Sequence, residues 1–297
     1  MSYLANRQSA KLWRKTWPFA LLCLLSSTVW LLLDRYPQIT FSLASGAAAC
    51  GLAAMCAIGL GLALRSPQGR LAELLKPATG GGLVIAGPAI GAFLHASLNA
   101  GSLAIALAMT PVAVIVARPV LSEREPSVDG LWPGLAAAVG LLLVLPAPSV
   151  SDWRNDLAML LAPVLTGVGC VIFRQAKPVA WKASAGFLGG VVVFGLGAVV
   201  EGAIQHGLPS ISPAAVAIDT PLFALSFVAL SRLTASQYGA RYALVPLLVL
   251  IQGPLLLGSM VVTWRGMACA ALLLVAGVAL LRAGSSEEAP NPHRLWG

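Results

Sequence analysis

Charge is scarce in this 297-residue chain. Asp, Glu, Lys and Arg make up 10% of it, against 58% hydrophobic residues. Soluble domains carry about 25% charged residues, so a water-facing surface cannot be assembled from this composition. A mean hydropathy of +0.85 makes the bilayer the natural solvent for most of the side chains. Histidine is scarcer still: the three copies, His95, His206 and His293, are far apart in sequence and adjoin no core carboxylate. That argues against a His-rich box for metal or lipid chemistry. The five cysteines (Cys23, Cys50, Cys56, Cys170, Cys269) sit in apolar runs without C-x-x-C spacing, and read as packing residues rather than a disulfide or metal set. Thr79-Gly80-Gly81-Gly82 lacks the Lys-Ser/Thr of a phosphate loop, so nucleotide hydrolysis is not implied. No metal and no cofactor is expected.

The polar breaks are short, and no stretch is long enough for a separate soluble domain. Apolar runs fall at 17–34, 39–64, 78–98, 101–121, 130–148, 156–174, 183–204, 213–232, 236–257 and 262–282. A spanning helix needs about 20 mostly apolar residues, so these predict ten transmembrane helices. Lys11, Arg14 and Lys15 before the first run resemble the start of a secretion signal, but no A-x-A exit follows, and the run is expected to be retained. Thirty glycines and twenty prolines suit membrane helices, where neighbours re-satisfy freed backbone groups.

The net charge of +8 could point to nucleic acid, but its distribution points to a membrane. With the N-terminus inside, fifteen of the nineteen Lys and Arg fall on the inner side. Arg35, Arg154 and Arg265 fall outside, and Arg241 lies within a span. This bias predicts both termini in the cytoplasm and a partner in the inner face of the membrane, with no nucleic acid. Trp17, Trp132 and Trp181 at inner ends, and Trp30, Trp153 and Trp264 at outer ends, form an aromatic belt.

"MTPVAVIVARPVLSEREP" and "LVPLLVLIQGPLLLGS" carry the same punctuation, with Pro111 matching Pro246 and Pro119 matching Pro254. Division near Val150 gives 1–150 and 151–297, with five spans in each. An odd number per half turns the second copy upside down, which is the inverted-repeat plan of many secondary transporters. The stretch "HASLNAGSLAIALAMTPVAVIVARPVLSEREPSVDGLWPGLAAAVGLLLVLP" resembles the repeat of the drug/metabolite transporter superfamily, EamA type, through Ser102, Pro111, Glu123 and Gly140. The second copy keeps Ser236, Pro246 and Gly277. It departs where Ser259 replaces the glutamate, and the first copy has Ser122 where glycine is usual. The resemblance implies an all-α protein of ten transmembrane helices in two inverted repeats. It implies export or exchange of small metabolites through a central cavity lined mainly by spans 1, 3, 4, 6, 8 and 9.

Candidate residues follow from what a span tolerates. Arg241 is an ionised group within a span and a functional candidate by default. It lies about six residues, roughly 9 Å, from the inner end of span 9, so it either snorkels or meets substrate. Tyr238 and Tyr242 flank it and suit an aromatic-cationic lip for a carboxylate. Pro111 and Pro246 remove backbone donors mid-span and provide either fixed bends or hinges. Ser26, Ser27 and Thr28, beside Trp30, either bond the preceding turn or line the cavity. His95, Gln252 and Thr166 are weaker pathway candidates. Gly87/Gly91 and Gly186/Gly190 have G-x-x-x-G spacing, for close packing or for sliding. Glu123 and Glu125 around Arg124 read as a solvated cluster. None of the eleven acidic residues lies near the middle of a span; Glu201 and Asp219 come closest, at the outer ends of spans 7 and 8. This disfavours proton-driven efflux of lipophilic cations and favours a neutral, zwitterionic or anionic metabolite.

The expectation is therefore a bacterial inner-membrane transporter, not an enzyme. Its predicted cargo is an amino acid, an amino-acid derivative or an amino-carboxylate metallophore. Membrane lipids are its partners, and a homodimer stays open. The alternatives are a multidrug-type efflux permease and, in another class, a membrane-embedded lipid enzyme or a non-transporting scaffold.

Overall fold

A computed structural model describes residues 2–36, 42–63, 71–94, 96, 99–121, 130–146, 152–176, 181–205, 210–257 and 263–286. His95, Ser122, Glu123, Arg124, Glu125 and Ser259 lie outside them. The described residues form twelve α-helices and no strand. In chain order these are α1 (Ser2–Arg35), α2 (Leu43–Ala63), α3 (Leu71–Phe93), α4 (Ala100–Ala108), α5 (Thr110–Leu121) and α6 (Leu131–Leu142), then α7 (Trp153–Gln175), α8 (Lys182–Gln205), α9 (Pro213–Arg232), α10 (Ala235–Gly239), α11 (Arg241–Leu257) and α12 (Trp264–Ser286).

Six of them are long and apolar enough to cross a membrane: α1, α2, α7, α8, α9 and α12. The bent pair α4–α5 adds a seventh if it is one broken span. Large apolar side chains stand bare on these helices, with Val199 70% and Leu196 63% exposed on α8 alone. Apolar faces of this extent need a non-aqueous solvent. The protein is an all-α, multi-pass membrane protein. Trp153 and Trp264, the first residues of α7 and α12, are equally bare, and Arg154 and Arg265 each hold a guanidinium 5.7 Å from the ring before them. Such amphipathic pairs suit the membrane–water boundary.

Each predicted run is helical in its described part, but not always at the predicted bounds or unbroken. The run predicted from 78 begins at Leu71, because Glu73 in the first turn is favoured by the helix dipole and extends the helix past the apolar stretch. In the described part of the run at 130–148 the α-helix covers Leu131–Leu142. The run at 101–121 bends by 42° between α4 and α5. Pro111 has no N–H for the i−4 bond, and Met109 N instead donates to Ala106 O at 3.0 Å in a tightened last turn. The matching Pro246 sits inside an unbroken α11, and the interruption of that run comes earlier, at Ala240. There α10 is only five residues long, started by a capping box: Gln237 N donates to Thr234 Oγ1 at 3.2 Å and Thr234 N to Gln237 Oε1 at 3.1 Å. Gln237 Nε2 also donates to Leu281 O at 3.2 Å, which ties α10 to α12.

The core has two main parts. The larger joins α1, α2, α3, α5, α7, α8, α9, α10 and Leu280 of α12, and includes Phe173, Phe187, Phe227 and Tyr238. The rings of Phe187 and Phe227 meet edge to face at 4.9 Å, a favoured aromatic geometry. The second joins α4, α6, α11 and α12 around Ile105, Leu141, Leu247 and Leu273. Within the larger part, α3, α7 and α8 approach to backbone contact. A Cβ on Gly80 would fall 2.5 Å from Phe173 N, and one on Gly169 would fall 2.6 Å from Val84 N. Neither position can hold a side chain. Gly87 and Gly190 also lie in these interfaces, against Thr166 and against Cys50 and Ile85. At one end of the bundle, serines tie α2 to α9: Ser212 N donates to Ser45 Oγ at 2.9 Å, and Ser42 Oγ to Ser210 O at 2.8 Å.

Candidate functional site

The two interrupted runs meet at their interruptions: Gly239, the last residue of α10, faces Pro111 of α5 with room for no more than a methyl group, at 3.3 Å. Arg241 follows one residue later as the first residue of α11. Its side chain leans back toward the start of its helix, as helical side chains do. It finishes against the bundle interior rather than at a rim. Nη1 donates to Ser226 Oγ of α9 at 3.2 Å and to the hydroxyl of Tyr238, which is fully buried. The guanidinium carbon stands 5.1 Å from the Tyr238 ring centroid and 4.8 Å from that of Tyr242. Both separations are within cation–π range.

These contacts use only one nitrogen. Arg241 Nε and Nη2 bond to no described residue, and no carboxylate of a described residue pairs with the charge. The thiols of Cys23 on α1 and Cys170 on α7 lie within electrostatic range of it. Tyr242 is buried between Leu107 and Ala162. Its hydroxyl lies near Thr166, which donates to Ala162 O at 2.7 Å, and is buried without a hydrogen-bond partner within bonding distance. Thr110 Oγ1, at the α4–α5 bend, is likewise buried and unpartnered. The site thus holds a cation pinned on one side by an aromatic pair and a serine. The nitrogens of its other side are available to an acceptor. A planar guanidinium edge with paired N–H groups is the natural partner of a carboxylate or phosphate.

The structure brings Arg241, Tyr238 and Tyr242 together. Ser27 is fully buried, but its hydroxyl donates to Leu24 O at 2.8 Å, as that of Thr28 does at 2.9 Å, so both bond the preceding turn. Trp30 packs against the second core part, near the face of α11. Gln252 stands eleven residues beyond Arg241 on α11, half-buried, with Oε1 buried and unpartnered. Pro111 lies at the bend and Pro246 within α11. Sequence reasoning missed Ser226. It is one of several hydroxyls on apolar helices, and nothing local distinguishes it; only the return of the chain through α10 brings it to Arg241.

No family model matches the chain, and no curated protein matches it in sequence. Among solved structures, 21 chains match. One, described only as "Crystal structure of protein", superposes with a TM-score of 0.65 at 16% identity, covering 93% of this chain and 99% of that one. The architecture of the chain is therefore similar to one already seen by crystallography over nearly its full length, and at this identity the likeness concerns the fold alone.

Proposed function

We propose that the chain is a membrane transporter of the drug/metabolite superfamily, EamA type. It moves a small polar metabolite bearing an anionic group by alternating access. The cargo class is an amino acid, an amino-acid derivative or an amino-carboxylate metallophore. In this reading the ten apolar runs are ten spans in two inverted halves, with both chain ends in the cytoplasm of a bacterial cell.

The pattern of helix contacts supports the two-halves reading. If span n of the first half is exchanged for span n+5 of the second, α1 becomes α7, α2 becomes α8, α3 becomes α9, α4–α5 becomes α10–α11, and α6 becomes α12. The contacts of α3 with α7 and α8 then become those of α9 with α1 and α2, and both sets are present. The contact of α5 with α7 becomes that of α11 with α1, also present. The pairs α2–α8 and α6–α12 map onto themselves, and α4–α11 and α5–α10 map onto each other, all of them present. Such exchange is expected when the halves are copies related by a pseudo-twofold axis.

The function rests on one observation: the open Nε–Nη2 edge of Arg241, held inside a membrane protein with no acidic partner among the described residues. An ionised side chain within a span and without a counter-ion is costly, and an anionic cargo relieves that cost. The test is uptake of labelled carboxylates by vesicles reconstituted with the protein, with and without a proton gradient. Arg241→Ala is expected to lower uptake about a hundredfold while leaving insertion intact. Equal uptake by the variant would remove Arg241 from the pathway and leave it a structural anchor.

A further inference from the structure

Asp219 is an acidic residue on α9, the helix that supplies Ser226 to this site. It lies seven residues before Ser226 on α9. Seven residues come within about 20° of two full turns, so the two share a face about 10 Å apart along the helix axis. That face is the buried one: Ala215, Ser226, Phe227 and Leu230 on it are all buried, and Phe223 meets Phe194 of α8 at 5.8 Å. Asp219 Oδ2 is itself buried and has no hydrogen-bond partner, while the residue as a whole keeps part of its surface open. Cys50 of α2 lies within its electrostatic range. Asp219 and Arg241 do not pair with each other. One face of α9 therefore leads from an uncompensated carboxylate to the serine that holds an uncompensated guanidinium.

We propose that Asp219 is the cation subsite of the pathway and receives the ammonium group of a cargo whose carboxylate lies on Arg241. The inference rests on the transporter reading and narrows its substrate class. Asp219 stands about two helical turns from the serine that holds Arg241, so one ligand reaches both groups only if its own charges are well separated. An α-ammonium and its α-carboxylate, two bonds apart, are too close to reach both groups. The fitting class is an amino-carboxylate with its two charges several bonds apart, as in a diamino acid or an ω-amino acid. Such a ligand neutralises both protein charges at once, which neither a simple anion nor a simple cation does.

The test uses the full chain in detergent micelles and two probe series, the ω-amino acids from 3-aminopropanoate to 5-aminopentanoate and the same carboxylates without the amine. Half-saturation is read from thermal-shift titration. The wild type is expected to bind its best ω-amino acid about tenfold more tightly than the matching plain carboxylate, about 1.4 kcal/mol. Asp219→Asn brings that ratio to about one. Asp219→Glu, one methylene longer, moves the best probe one methylene shorter, a shift that a merely structural role would not produce. An undiminished preference in Asp219→Asn, or an unmoved optimum in Asp219→Glu, overturns the assignment. A wild type that binds carboxylates without preferring the amine overturns it too, while leaving the Arg241 reading standing. A wild type that binds no probe overturns both.

Discussion

Two seams of the molecule are built on opposite principles. Where α3 meets α7 and α8, glycines bring backbone against backbone, and the contact at Gly80 and Gly169 has no room for a methyl group. Where the α4–α5 bend meets the α10–α11 interruption, the helices are broken and polar groups are left over: the hydroxyls of Thr110 and Tyr242, and one edge of Arg241. Buried polar groups in folded proteins are almost always satisfied. The glycine seam is closed by its own backbone packing, whereas the broken seam leaves Thr110, Tyr242 and one edge of Arg241 with unused hydrogen-bonding capacity.

The contrast has measurable consequences. At the glycine seam, Gly169→Val forces α3 and α7 apart. It is expected to cost about 3 kcal/mol or more, seen as loss of a monodisperse, thermally cooperative species in detergent. At the broken seam, Arg241→Ala is expected to leave that species intact and to lower carboxylate uptake about a hundredfold, since hydrogen bonds to a charged group are worth about 1.5–3 kcal/mol. Comparable damage to stability from both variants would erase the distinction. Thr110→Val replaces a buried, unpartnered hydroxyl by a methyl group of similar shape, and is expected to raise the unfolding free energy by about 1 kcal/mol. A fall would mean that the hydroxyl has a partner in the working protein. Ser27→Ala removes a hydroxyl that only bonds its own helix, and should change stability by less than about 0.5 kcal/mol and leave uptake unaltered. A marked transport defect would put Ser27 on the pathway.

Much of the architecture was legible because the membrane imposes length and apolarity on any crossing helix, and those are properties of contiguous sequence. The aromatic-cationic trio was legible because Tyr238, Arg241 and Tyr242 are close neighbours in sequence, although the break at Ala240 separates the first from the other two. Helix interruptions were less so. Pro111 and Pro246 have the same chemistry and similar flanks, yet only the first stands at a break. The interruption ahead of Arg241 comes instead from the capping box at Thr234 and the turn at Ala240, whose effect depends on what α10 packs against. Ser226 and the inward aim of Asp219 were not legible. Helical periodicity puts those two residues on one face, but which way that face points is decided by α1, α2 and α8 around it.

Gln237 has one further consequence. It closes the capping box of α10 and at the same time holds Leu281 O on α12, whereas the serine that receives Arg241 belongs to α9. The short segment bearing Tyr238 is thus tethered to the last helix, and the far end of its clamp to the eighth run. In the proposed transporter, a displacement of α12 relative to α9 would act on the guanidinium through these two tethers, so grip on the cargo and tilt of the bundle would be coupled.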